Sequence, residues 1–211
     1  MDIKGKSFNF LGDSLTEVNG HLPFEWRYVN VFARKYSPGT VRNYGIGGTR
    51  IARQLTPSEN PVHDKDFCSR VEGMDADADF VVVFGGTNDF GHGDAPLGQM
   101  SDRAPDTFYG ACHTLMISLI EKYPASTIIF MTPSHRACET RADRPSLIEF
   151  VKIIREVSEF YSIPVCDLYK NLGIQPQIQA QKELFTTDGL HTNDKGAERI
   201  ADRLASFIVS L

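Results

Sequence analysis

Cysteine is scarce and scattered: Cys68, Cys112, Cys138 and Cys166 are the four in the 211-residue chain, and none form a Cys-x-x-Cys pair. That spacing argues against a disulfide framework or a cysteine zinc site and predicts free, buried thiols. Long apolar runs are also missing. The strongest, Phe80 to Phe84, is far short of the ~20 residues a membrane-spanning helix requires, and no Lys/Arg cluster adjoins it, so no membrane insertion is expected. Positive charge is not in excess, since 22 Lys and Arg face 27 Asp and Glu for a formal net charge of -5. A protein that tracks a phosphate backbone usually carries the opposite sign, and nucleic acid is set aside as a partner. Neither Gly-x-x-x-x-Gly-Lys-Ser/Thr nor Gly-x-Gly-x-x-Gly occurs, which leaves nucleotide binding unsupported. The opening residues, Met1 to Lys6, lack the apolar core and small-residue cleavage site of a signal peptide, and no Asn-x-Ser/Thr sequon follows, so the expected location is cytoplasmic.

What is present is an ordinary globular composition, 41% hydrophobic and 23% charged, enough for a core without metal or disulfide staples. No repeat, low-complexity tract or linker interrupts it, so residues 1–211 are expected to form a single domain. Apolar, β-rich runs recur at Ser7 to Leu11, Val41 to Tyr44, Phe80 to Phe84, Thr127 to Met131 and Ile163 to Asp167. Helical periodicity lies between or after them. Phe108, Ala111, Leu115, Leu119 and Ile120 mark one helix ending near Pro124. Leu147 to Tyr161 carries another, ending before Pro164. A third starts from an Asn193 N-cap and runs through Ala197, Ile200, Ala201, Leu204, Ile208 and Leu211. Strands alternating with helices predict an α/β fold of three layers, a parallel sheet covered on both faces. The least regular stretch, Asp89 to Pro105, is rich in glycine and proline, and long loops of that kind are commonly functional or disordered.

Ligands in such sheets bind beyond the carboxyl ends of the strands. Read in order, those ends carry Gly12-Asp13-Ser14-Leu15, then Asn43-Tyr44-Gly45-Ile46-Gly47-Gly48, then Gly85-Gly86-Thr87-Asn88-Asp89, with Asp188-Gly189-Leu190-His191 ahead of the last helix. A hydroxyl, a glycine-rich backbone, an amide and an imidazole with a carboxylate are the parts that acyl transfer to serine requires. The four strings, in this order, resemble the blocks of the SGNH/GDSL hydrolases across essentially the whole chain. The resemblance implies a flavodoxin-like sheet of five parallel strands in the order 2-1-3-4-5, and an esterase or acylhydrolase activity with no metal and no organic cofactor. It also implies a nucleophile at Ser14, a base at His191 with Asp188 as its partner, and an oxyanion hole from the backbone of Ser14 and Gly48 and the side chain of Asn88. Gly47 is adjacent to Gly48; the spacing from Asn43 favours Gly48. Thr16 stands where the α/β-hydrolase elbow, Gly-x-Ser-x-Gly, has its second glycine.

Other residues carry weaker expectations. Asp13 and Asp89 read as carboxylates that organise their loops by accepting local N–H groups. Asp13, His92, His135 and Arg136 stand at strand ends and are candidates for substrate contact, with surface loop positions as the competing reading for the last three. His21, His63 and His113 share no ligand spacing with the other histidines, so no metal is assigned. Phe24 and Trp26 read as core rather than acyl pocket. The expected partner is a small-molecule ester, and a homo-oligomer is left open. With no extended apolar lid and a polar loop after Asp89, a short acyl ester such as an acetylated carbohydrate fits better than a lipid ester. A lysophospholipase or thioesterase, a carbohydrate-binding module without turnover and a flavin or nucleotide binder are the alternatives.

Overall fold

The computed structural model describes residues 1–17 and 23–211, so the expectation for His21 lies outside it, as does that for the Phe24 side chain. Five strands, β1 (Ser7–Gly12), β2 (Thr40–Gly45), β3 (Phe80–Phe84), β4 (Thr127–Met131) and β5 (Val165–Cys166), form one parallel sheet in the order β2-β1-β3-β4-β5. Gly12 is in register with Gly45 and Phe84, and Phe84 with Met131. Four strands therefore end level, and whatever follows each one is delivered to the same edge.

The helices are α1 (Tyr28–Tyr36), α2 (Phe67–Arg70), α3 (Thr87–His92), α4 (Phe108–Lys122), α5 (Leu147–Phe160), α6 (Leu168–Asn171), α7 (Gln179–Phe185) and α8 (Asp194–Ser210). Strand pleating divides the core. Phe80, Val82 and Phe84 join Phe8, Phe10, Phe32 and the α8 stripe on one face, while Val81 and Val83 join Leu115, Phe150 and Ile154 of α4 and α5 on the other. Phe8 stacks on Phe80 with ring centroids 4.7 Å apart. The α8 stripe follows from its start: the Asn193 side chain accepts from Gly196 N at 3.1 Å, and Ala197, Ile200, Ala201, Leu204 and Ile208 are then buried at helical spacing. Among the described residues no helix is long and apolar enough to cross a membrane.

Three expectations change in detail. The fifth strand is only two residues long because Pro164 has no N–H to give the sheet, Ile163 N turns back to Ser158 O, and the Asp167 side chain caps α6 through Lys170 N. Asp89 to His92 belong to α3, so the irregular stretch starts at Gly93. Cys112 and Cys166 are buried and all four thiols are free, but Cys138 is exposed; Leu211 is exposed too, lying just past the end of α8.

Candidate active site

The turn after β1 is built around Asp13. Its carbonyl accepts from Thr16 N and Glu17 N, and its Oδ1 accepts from Leu15 N at 3.0 Å, which leaves the Ser14 side chain at the tip. A Cβ at Gly12 would lie 2.1 Å from Thr16 Oγ1, so this tight return needs glycine. Arg70 of α2 braces the same turn, donating to Gly12 O, Tyr44 O and Thr49 Oγ1. Asn43 ties it to β2, its amide donating to Thr16 O at 2.6 Å while its oxygen accepts from Gly45 N.

Ser14 Oγ lies 3.0 Å from His191 Nε2, and His191 Nδ1 lies 2.7 Å from Asp188 Oδ2. Asp188 Oδ1 also accepts the backbone N–H groups of Leu190 and His191, at 2.8 and 2.7 Å. Burial pushes the Asp188 carboxyl up, but these hydrogen bonds outweigh it and hold the group below its usual range. An ionised carboxylate can only accept, so Nδ1 carries the proton and Nε2 is left to accept from the serine hydroxyl. A hydroxyl in that setting has a ready acceptor for its proton. The loop that carries the pair is pinned at both ends: Thr187 N donates to His191 O, and Gly189 N to Thr186 Oγ1.

Gly48 sits at φ +74°, and a Cβ there would be 2.4 Å from the His63 ring, so both conformation and space call for glycine. The neighbouring Gly47 N–H is committed to Glu17 Oε2 at 2.7 Å. The N–H groups of Gly48 and Ser14 donate to no described residue. Asn88, at the start of α3, spends one amide hydrogen on Thr49 O at 2.9 Å, and the other meets no acceptor among the described residues. Beneath it the Asp89 carboxylate accepts from Ile51 N and Ala52 N.

Ser14, Gly48, Asn88 and His191 line one open cleft of about 750 Å³, together with His92 and Arg136. His92 Nδ1 accepts from Arg50 Nη1 at 2.8 Å, so its Nε2 carries the proton; burial first, and then neighbouring cations, push its pKa down to about 4. Two of the substrate-contact expectations are not met in this geometry. The Asp13 side chain lies under the turn, 1% exposed, rather than on the cleft wall. His135 points elsewhere: its Nδ1 is 2.7 Å from Glu139 Oε1 and its ring packs on Tyr169 in a separate pocket, because Glu139, four residues on in the same loop, draws it away. Trp26 is half-buried. Among the described residues no three His, Cys, Asp or Glu side chains form a metal-binding group. Glu17, His63, Arg70 and Arg141 belong to the site or its support without any local motif to announce them. His63 had one faint signal, a histidine in a polar segment that follows a glycine-rich strand end.

A model of the GDSL-like Lipase/Acylhydrolase family matches residues 10–199. Among solved structures, the chain is 30% identical to a protein from Lactobacillus plantarum, with 99% of this chain and 98% of that one covered and a TM-score of 0.87. It is 22% identical to the lipase/acylhydrolase from Enterococcus faecalis, covering 97% of this chain and 96% of that one at a TM-score of 0.68. It is 15% identical to Est24, a carbohydrate acetylesterase from Sinorhizobium meliloti, covering 97% of this chain and 99% of that one at a TM-score of 0.67. At the identities of the last two, the likeness is one of fold. No curated protein sequence matches the chain. The matched stretch carries all four strand-end strings, the sheet order is that of the SGNH hydrolase fold, and the chain belongs to the GDSL-like lipase/acylhydrolase family.

Proposed function

We propose that the protein is a serine esterase that cleaves a short-chain carboxylic ester through an acyl-Ser14 intermediate. The observation that carries this reading is the continuous hydrogen-bonded series from Ser14 Oγ to His191 Nε2 and from His191 Nδ1 to Asp188, at 3.0 and 2.7 Å. Ser14 Oγ attacks the ester carbonyl as Nε2 takes its proton, and the imidazolium then returns that proton to the departing alkoxide. Asp188 stabilises the imidazolium and fixes its orientation without itself being protonated. Water attacks the acyl-serine with His191 again as base, releasing the acid and restoring Ser14. The developing oxyanion is received by the N–H groups of Ser14 and Gly48 and by the second amide hydrogen of Asn88. The commitment of Gly47 N–H to Glu17 supports Gly48 as the backbone donor.

The cleft favours a small acyl group. Among the described residues its aliphatic lining is Ile46, Val62 and Leu190, set among glycines and polar side chains, and it is open rather than tunnel-like. A long acyl chain would find little continuous apolar wall. Acetyl on a carbohydrate is the substrate class this suits, and the fold likeness to a carbohydrate acetylesterase is compatible with it. No organic cofactor or metal enters the scheme.

The test is hydrolysis of p-nitrophenyl esters from acetate to decanoate by the wild type and Ser14→Ala. Ser14-dependent turnover that is greatest for acetate or butyrate is expected. Preference for decanoate would move the reading to a lipid acylhydrolase, and no Ser14-dependent turnover would move it to a binding module.

A further inference from the structure

Four arginines touch α3, and they differ in what balances their charge. Arg50 bonds His92 and is paired with Asp64 at 3.0 Å; Arg144 bonds the carbonyls of Phe90 and Gly91 and is paired with Asp143 at 3.2 Å. Arg136 and Arg141 have no carboxylate within ion-pair distance among the described residues. Each is anchored by one nitrogen, Arg136 Nη1 on Thr87 O and Oγ1 at 3.1 Å and Arg141 Nη1 on Gly91 O at 2.8 Å. The remaining N–H groups of both forks, at Nε and Nη2, donate to no described residue.

These two are also the arginines that line the cleft beside Asn88 and His191. Their guanidinium carbons lie 5.2 and 5.8 Å from the centre of the same Phe90 ring, so two like charges share one aromatic neighbour. Burial pushes the Arg136 guanidinium down, and the Arg141 charge pushes it further; Asp188 and Asp13 offset this only in part. The chain carries an excess of acid, a net charge of -5, but Glu139, which stands between them in sequence, is engaged by His135 Nδ1, Arg136 N and Tyr169 OH rather than by either guanidinium. Glu17, on the cleft, is already engaged by Gly47 N–H, and Asp188 by His191. Two half-anchored guanidiniums with open donors make a fork that a planar or tetrahedral oxyanion satisfies and that a neutral group does not.

We propose that the ester cleaved at Ser14 carries an anionic group, a carboxylate or a phosphate, bound between Arg136 and Arg141. The proposal rests on the esterase reading and narrows its substrate class: an acetylated sugar acid or sugar phosphate fits this cleft better than a neutral acetylated sugar. The anion is held by charge-assisted hydrogen bonds while the scissile carbonyl lies over Ser14, so the recognition of the substrate and its chemistry are on different strands of the same sheet edge.

The experiment compares meta-acetoxybenzoate, meta-acetoxyphenyl phosphate and the neutral meta-acetoxybenzamide. The wild type is expected to show a kcat/KM about tenfold higher for at least one anionic ester than for the amide, an advantage that shrinks as salt is added. The anion with the larger advantage identifies carboxylate or phosphate as the group recognised. Arg141→Gln is expected to reduce the anionic-to-neutral ratio to near one, with Arg141→Lys intermediate; Arg136→Gln should act in the same direction, but it also loses the Thr87 contacts. Equal or lower kcat/KM for both anionic esters would overturn the proposal and leave the esterase reading standing. If none of the three is turned over in a Ser14-dependent way, the esterase reading fails, and calorimetric titration of Ser14→Ala with the same compounds decides the anion site. Tighter binding of an anionic compound that is lost with Arg141→Gln upholds it, and equal binding of all three overturns it.

Discussion

Asp188 is half exposed on its loop and accepts three hydrogen bonds, two from backbone N–H groups and one from His191 Nδ1. Asp13, the residue before Ser14, is 1% exposed; its Oδ1 accepts from Leu15 N, and its Oδ2 has no partner among the described residues. The first is held below the usual carboxylate range by its donors. The second is pushed up to about 7, by burial above all and then by the neighbouring Asp89, against the Leu15 hydrogen bond and Arg70. Nearness in sequence to Ser14 does not decide which carboxylate pairs with His191. Solvation and the number of donors do: the donor-rich carboxylate can face an imidazolium, and the donor-poor one shapes a turn.

The comparison can be sharpened by removing each group in turn. Ser14→Ala should lower kcat on a favoured ester by at least three orders of magnitude, measured against buffer hydrolysis. Asp188→Asn should cost about two to four orders in kcat/KM, since an amide cannot stabilise the imidazolium and favours the wrong tautomer; a loss under tenfold would place Asp188 in the same structural class as Asp13. Asn88→Ala should cost about two to three orders in kcat with a smaller change in KM, as expected for a donor used mainly in the transition state.

Asp13→Asn should have the smallest effect on turnover and a distinct signature in stability. A carboxyl whose folded pKa stands above its unfolded value stabilises fully below the unfolded value, and that contribution is lost as pH rises through the folded one. For Asp13 the window runs from the ordinary carboxyl value of 3.8 to about 7, and Asp89, pushed up to about 6, adds to it. Denaturant titrations should show wild-type stability falling across that window more steeply than that of Asp13→Asn. Asp188 works in the opposite sense, contributing stability that is lost as pH falls below the ordinary carboxylate range. An identical pH slope in wild type and Asp13→Asn would show that the buried carboxyl does not titrate in this range.

The same contrast explains what the sequence made legible. A parallel sheet covered on both faces is legible in short apolar strands alternating with amphipathic helices, whereas its order comes only with the family resemblance; once the sheet forms, the strings that follow β1, β2 and β3 are carried to one edge. The Asp188 and His191 pair is local, three residues apart on a pinned loop, so its contact could be read from the chain. The spacing from Asn43 favours Gly48 over Gly47, but that the Gly47 N–H is taken up by the Glu17 side chain, which approaches across the turn, is something no spacing reveals. His135 looked equivalent to Arg136 until Glu139 and Tyr169 were seen to hold it in another pocket. Arg70 and Arg141 reach the site over long sequence separations from segments with no pattern of their own, and only packing discloses them.

The most direct test of Ser14 as nucleophile is covalent. Incubation with an alkyl fluorophosphonate, followed by intact-mass and peptide mass spectrometry, should show one adduct per chain, located on Ser14, and strongly slowed labelling in His191→Ala. An unmodified Ser14, or an adduct on another residue with activity lost in parallel, would contradict the account.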